Sequence, residues 1–88
     1  MKNLSTSIDK TLDILCAFAG ENSELSALEI SKLLGIPLSS TYKFLEKLSE
    51  KQLLYKDQET KKFRLGWMVY KLGERFKSEN ILLDAANQ

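Results

Sequence analysis

Apolar residues recur at helical spacing in four stretches of the chain and line a short hairpin between the third and fourth. The first stretch is Ile8, Leu12, Leu15 and Ala19, flanked by Thr11 and Phe18. It predicts a helix behind Ser5-Thr6-Ser7, whose hydroxyls suit an N-cap, with Gly20 as a left-handed end. Glu21-Asn22-Ser23-Glu24 is then a polar loop. The second stretch has sharper edges. Ser26 and Glu29 form an S-x-x-E capping box, with Leu25 and Ile30 placed to close a hydrophobic staple around it. Leu33 and Leu34 continue the apolar side, and Gly35 followed by Pro37 stops the helix.

The third helix spans about Leu38 to Glu50. Thr41, Phe44, Leu45 and Leu48 fall at i, i+3, i+4 and i+7 and form its inward face. At about 100° per residue, Ser39, Lys43, Glu46 and Glu50 point nearly opposite, with Ser40, Tyr42 and Lys47 beside them. Two short helices joined by a Gly-Ile-Pro turn are the pattern of a helix-turn-helix, whose second helix enters a major groove. The outer face fits that use. Its first half offers Ser, Ser, Tyr and Lys, and its acids come only in the second half, where such a helix leaves the groove.

Leu53-Leu54-Tyr55-Lys56 and Lys62-Phe63-Arg64-Leu65 read as a hairpin around Asp57–Lys61, with Phe63 and Leu65 turned to the core and Lys62 and Arg64 outward. A basic hairpin directly after a recognition helix is a wing. Trp67 to Lys77 reads as a fourth helix, with Val69, Leu72, Gly73 and Phe76 along one stripe and Trp67, Met68 and Tyr70 beside it. That is more apolar surface than the last helix of a small monomer leaves to water, so part of it is expected to meet a second copy. Ile81-Leu82-Leu83-Asp84-Ala85-Ala86 is a short apolar stub.

Length and charge narrow the picture. Eighty-eight residues suit one domain. A domain this small buries only about 60% of its unfolded-chain surface, so a partner subunit helps it. Net charge is only +1, but its distribution is uneven. Positions 1–37 carry three lysines against five acids, whereas positions 38–66 carry six lysines and Arg64 against four acids. Positive charge therefore gathers on the recognition helix and wing, where phosphates would lie.

Catalytic chemistry has little to stand on. The chain lacks histidine, and Cys16 lies in an apolar helical stretch that predicts a core or interface residue. No Cys/His cluster with zinc spacing is present, the glycines form no phosphate loop, and the carboxylates are scattered on polar faces. No enzyme, metal or cofactor is expected. One cysteine suits a reducing cytoplasm, the first ten residues lack a signal peptide's apolar core, and no run approaches the roughly 18 apolar residues of a membrane span.

The ordered set of segments resembles the N-terminal domain of the IclR family of bacterial transcription regulators. It is carried by Ser7–Leu15 in the first helix and Leu28-Glu29-Ile30-Ser31 in the second. Gly35 to Leu45 and Phe63-Arg64-Leu65-Gly66 complete it. The resemblance implies a winged helix-turn-helix, mainly α with a small β-hairpin. It has a three-helix core, a wing and a C-terminal linker or dimerisation helix. It also implies a cytoplasmic repressor or activator that binds double-stranded operator DNA as a homodimer. A small-molecule effector would act only through a C-terminal domain that lies beyond this chain. The division expected is 1–66 for DNA binding, 67–80 for the linker helix and 81–88 for the start of the effector domain.

Candidate DNA contacts are Ser39, Ser40, Tyr42 and Lys43 at base edges or nearby phosphates, Lys47 on the backbone, and Leu38 against a thymine methyl. Ser26 and Ala27 offer the N–H groups of a helix start, and Lys61, Lys62 and Arg64 reach from the wing. The candidate dimer contacts are Trp67, Met68, Tyr70, Leu72 and Phe76. The chain departs from the family pattern at four places. Leu38 and Lys43 stand where the family commonly has a basic residue and an arginine, and Gln52 and Lys61 stand where it usually has glycine. The alternative reading is a winged helix that binds protein through its fourth helix, which the modest net charge and Leu38 favour.

Overall fold

A computed structural model describes residues 2–79 of the chain. The elements are α1 (Lys2–Ala17), α2 (Ala27–Leu34), α3 (Leu38–Glu50), β1 (Leu54–Lys56), β2 (Phe63–Leu65) and α4 (Trp67–Glu79). Three helices surround one core, the two strands pair antiparallel as a wing, and α4 follows the wing, giving a mainly helical winged helix-turn-helix. The stub Ile81–Ala86 lies outside the described residues.

The helix-turn-helix forms as its sequence dictates. Glu29 N–H donates to Ser26 Oγ at 3.0 Å, and Ser26 N–H donates to Glu29 Oε1 at 2.8 Å, closing the capping box. Gly35 ends α2 at φ 67°, ψ 37°, with its N–H on the Ser31 carbonyl. Two buried or half-buried hydroxyls then tie the turn. Ser31 Oγ donates to the Ile36 carbonyl, and Thr41 donates both its N–H and its Oγ1 to the Pro37 carbonyl, each at 2.9 Å. Thr41 is fully enclosed, so its hydroxyl needs that partner. These bonds fix the angle at which α3 leaves the core.

Ile14 and Phe18 of α1, Ile30 of α2, and Leu45 and Leu48 of α3 form the centre of the core. Leu25, Ala27, Ile36, Leu54 and Phe63 close it. The expected face of α1 is wrong. Ile8 and Leu12 are 51% and 53% exposed, while Ile14, omitted from the expected stripe, is fully buried. The helix has apolar residues on two sides, and packing against α2 and α3 selects the Ile14–Phe18 side. Cys16 is exposed rather than in the core, because two positions beyond Ile14 a helical side chain has turned by about 200°. Nor do Ser5–Ser7 cap this helix: it begins at Lys2, and the Ser7 carbonyl accepts from Thr11 Oγ1 at 2.7 Å. Gly20 is not a left-handed end either, since Gly35 is the glycine with positive φ among the described residues. The N–H groups of Phe18, Ala19 and Gly20 bond three residues back, tightening the last turn instead.

In the wing, Leu54 faces Leu65, Tyr55 faces Arg64 and Lys56 faces Phe63. Phe63 is buried as expected, but Leu65 is 40% exposed. Leu65 lies at the end of the hairpin toward α4, and α4 buries none of its residues, so the core stops short of it. The connections at both ends of the wing use left-handed residues that are not glycine. Gln52 has φ 64° and Lys61 has φ 66°. Gln52 ends α3, where Leu53 N–H reaches back to the Leu48 carbonyl at 2.9 Å. Its own carbonyl then accepts from Met68 N–H at 2.9 Å, tying the start of α4 to the end of α3.

Candidate nucleic-acid interface

The turn geometry leaves one side of α3 outside the core. Ser39, Tyr42, Lys43, Glu46, Lys47 and Glu50 are exposed, and Ser40 is half-buried at the edge. Leu38 is 38% exposed, at the boundary between packing and surface. No side chain caps the start of α3 at Pro37. The first N–H groups of the helix therefore point along its axis without intrahelical acceptors, beside the Ser39 and Ser40 hydroxyls. A shallow groove next to them is lined by Ser7, Lys10, Ile36, Pro37 and Ser40. Lys10 was not among the expected contacts. Its position thirty residues before Ser40 gives no local signal, since only the packing of α1 on α3 brings the two together.

The cations of this surface differ in how they are held. Among the described residues, Lys43 and Lys61 have no carboxylate within 4.0 Å. Lys47 lies 3.8 Å from Glu50, an exposed pair of the kind that contributes little and is easily exchanged for another anion. Lys62 lies 3.9 Å from Glu29, and Arg64 Nη2 lies 3.0 Å from Glu24 Oε2. Sequence reasoning placed Lys62 and Arg64 outward but missed these carboxylates, which arrive from a loop and helix more than thirty residues away.

The start of α2 is partly spoken for. Ser26 N–H and Glu29 N–H are both used inside the capping box. The Ser26 N–H bond holds the Glu29 carboxyl below its ordinary pKa, helped by the nearby Lys62 charge and opposed by slight desolvation. Ala27 is buried, so what it offers to a ligand is its backbone. On the wing, Asp57 Oδ1 accepts from Glu59 N–H at 2.8 Å and Thr60 N–H at 3.2 Å. Those bonds hold its carboxyl low as well and shape the loop that presents Lys61.

The expected dimer contacts lie on α4. Trp67, Tyr70, Leu72 and Phe76 are 50–58% exposed, and Met68 is half-buried. Trp67 and Tyr70 stack on each other at 5.4 Å between ring centroids.

This winged helix-turn-helix fold is shared with solved transcriptional regulators. The IclR helix-turn-helix domain matches residues 7–58. The chain belongs to the IclR family. It carries that family's DNA-binding transcription regulator domain. Among solved structures, this IclR domain is similar to an IclR transcriptional regulator from Alicyclobacillus acidocaldarius, at TM-score 0.76 and 20% identity over 80% of this chain. It is also similar to HmgR from Pseudomonas aeruginosa, at TM-score 0.71 and 25% identity over 78% of this chain. The IclR of Thermotoga maritima gives TM-score 0.67 and 25% identity over 83%. In each case the match spans 28% of the other chain. No curated protein sequence matches the chain.

Membership gives the left-handed residues a meaning. Gln52 and Lys61 are the two positions at which this IclR domain lacks an expected glycine, and both keep the backbone that glycine would adopt.

Proposed function

We propose that this domain binds double-stranded operator DNA as a homodimer, with α3 in the major groove and the wing on the backbone or in the minor groove. The observation that carries the reading is the exposed first half of α3. It presents Ser39, Tyr42 and Lys43 with no acid among them, on a helix whose exit angle is fixed by the Ser31 and Thr41 hydroxyls. Ser39, Ser40, Tyr42 and Lys43 read base edges or touch adjacent phosphates, and Leu38 meets a thymine methyl. Lys47 and Lys61 contact phosphates, as does Lys10 from the groove beside Ser40. The N–H of Ala27, at the start of α2 beside Ser26, faces a phosphate. Lysine at position 43 places one charge where arginine would make a bidentate guanine contact, so the operator differs from sites read by arginine there.

Residues 1–66 form the DNA-binding unit and 67–80 the linker, whose exposed Trp67, Tyr70, Leu72 and Phe76 and half-buried Met68 meet the same helix of a second copy. Residues 81–88 lead to an effector-binding domain, so a small molecule acts on the whole regulator rather than on this domain. The regulator works in the cytoplasm and catalyses no reaction; among the described residues no helix is long and apolar enough to cross a membrane. Two copies related by a twofold axis read a palindrome.

Titration of the 88-residue chain with duplexes selected from genomic fragments tests the reading. Lys43→Ala is expected to lose about 1–3 kcal/mol of operator binding if it reads a base, and affinity should fall steeply with salt. If no genomic duplex binds at low salt, the second reading takes over, in which α4 docks a protein. The exposed apolar residues of α4 and the ion-paired wing favour that alternative. Sedimentation that finds only monomer at high concentration removes the dimer.

A further inference from the structure

The wing is fastened to the start of the helix-turn-helix, and the fastening uses side chains that otherwise count as DNA ligands. Leu25 and Phe63 exchange backbone bonds as an isolated antiparallel bridge, Leu25 N–H to the Phe63 carbonyl at 3.1 Å and Phe63 N–H to the Leu25 carbonyl at 2.8 Å. Both side chains are in the core. An antiparallel bridge sets the flanking residues across from each other, so Glu24 stands opposite Arg64. The Glu24 carboxylate uses both oxygens on the wing. Oε2 accepts from Arg64 Nη2 at 3.0 Å, and Oε1 lies 3.5 Å from the Thr60 hydroxyl, which donates to it. Thr60 Oγ1 in turn accepts from Lys62 N–H at 3.2 Å. One carboxylate thus spans the turn and the second strand.

We infer that Glu24 is a positioning residue for DNA binding: acting through Arg64 and Thr60, it sets the wing relative to α2 and α3. Arg64 is then a tether rather than a phosphate ligand. A guanidinium already bonded to a carboxylate at 3.0 Å, in a half-buried pair, gives up that bond before it can meet a phosphate. Lys61, in the wing turn, has no such competitor and is left for DNA. This inference rests on the DNA-binding reading for its effect on affinity, but the tether itself exists in the free domain.

The two roles for Arg64 predict opposite signs. Removing an acid near a DNA surface ordinarily strengthens binding by relieving repulsion with phosphates. Here Glu24→Gln is expected to weaken binding of a fluorescein-labelled mixed-sequence duplex roughly two- to fivefold, the scale of a partly exposed ion pair. Arg64→Ala weakens it by a similar factor, the double variant is no weaker than either single one, and the slope of log affinity against log salt is unchanged in all three. The exchanged pair Glu24→Arg with Arg64→Glu recovers most of the affinity. Amide exchange in the free 88-residue chain gives an independent readout: protection of the Leu25 and Phe63 N–H groups drops in both single variants. Tighter binding by Glu24→Gln overturns the inference. So does an Arg64→Ala salt slope shallower by about 0.9, the signature of one lost phosphate contact. Unchanged protection at Leu25 and Phe63 also overturns it. If the wild-type chain binds no duplex, the DNA-binding reading fails, and the exchange experiment alone still decides whether Glu24 holds the wing.

Discussion

Replacing Lys61 by glycine should make the domain more stable and a poorer DNA binder at the same time. Lys61 sits at φ 66° at the end of the wing turn, where its N–H donates to the Asp57 carbonyl at 2.7 Å. A left-handed backbone sets Cβ against the following carbonyl and costs an ordinary residue roughly 1–2 kcal/mol. Glycine escapes that strain but brings extra freedom to the unfolded chain, which takes back roughly 0.5–1 kcal/mol. The net gain is about 0–1.5 kcal/mol, centred on roughly 0.75, or up to roughly 12 °C in Tm for a domain of this size. The turn itself should survive, because it is held by Asp57 and by backbone bonds that glycine also makes. The exposed ammonium is lost, so the salt slope of DNA binding should fall by about 0.9. Gln52→Gly is the matched control, since Gln52 has φ 64° and no charge: it should gain similar stability and leave the salt slope alone. Urea and thermal unfolding, with anisotropy titrations in a salt series, read both quantities. A destabilised Gln52→Gly would refute the strain argument. A Lys61→Gly variant with an unchanged slope would remove Lys61 from the interface.

Three further outcomes are expected. Gly66→Ala would place a Cβ 2.5 Å from the Gln52 carbonyl oxygen and 3.1 Å from Leu54 N, both backbone, so overpacking should cost about 1–3 kcal/mol in urea unfolding; an unchanged midpoint would contradict the tight joint. Thr41→Val keeps the buried shape but removes the hydroxyl bonded to Pro37, and should cost about 1 kcal/mol, with operator affinity falling further than stability alone explains. Acid should loosen the start of α2 and the wing turn together. The Glu29 and Asp57 carboxyls are both held low by backbone N–H groups, so the stability they lend is present above their ordinary pKa values and lost as pH falls through the depressed ones; amide protection at Glu59, Thr60 and Ser26, taken relative to the intrinsic exchange rate at each pH, that does not fall between neutral pH and pH values below about 4 would argue against it.

What the sequence made legible was local. The capping box, Gly35 and the inward run Thr41, Leu45 and Leu48 all came through, because each is set by residues within one or two turns. The exposed face of α3 followed from the same periodicity. The face of α1 did not, since Ile8 and Leu12 compete with Ile14 and Phe18 on spacing alone, and only the packing of α2 and α3 decides between them. Leu65 misled for a related reason. Alternation put it on Phe63's side of the strand, which is right, but alternation does not say where the core ends. The missing glycines were visible as departures, yet the backbone was needed to learn that Gln52 and Lys61 adopt the left-handed conformation anyway.

The least legible feature was which cations are free, and this changes how the charge pattern is read. Seven basic residues between positions 38 and 66 suggested a helix and wing jointly armed for phosphates. Two of the four wing cations, Lys62 and Arg64, instead face Glu29 and Glu24, which come from the acid-rich first part of the chain. The charge asymmetry between the two parts is therefore partly an internal complement rather than a display to DNA. That accounts for a net charge of only +1 on a DNA-binding domain. On the proposed reading, recognition falls to a few groups without a carboxylate partner, Lys43 and Lys61 foremost, set on a frame that the acids help to hold. A domain built this way has few phosphate contacts to make as a monomer, so the proposed pair of copies on one duplex would be the means by which modest individual contacts add up to a specific site.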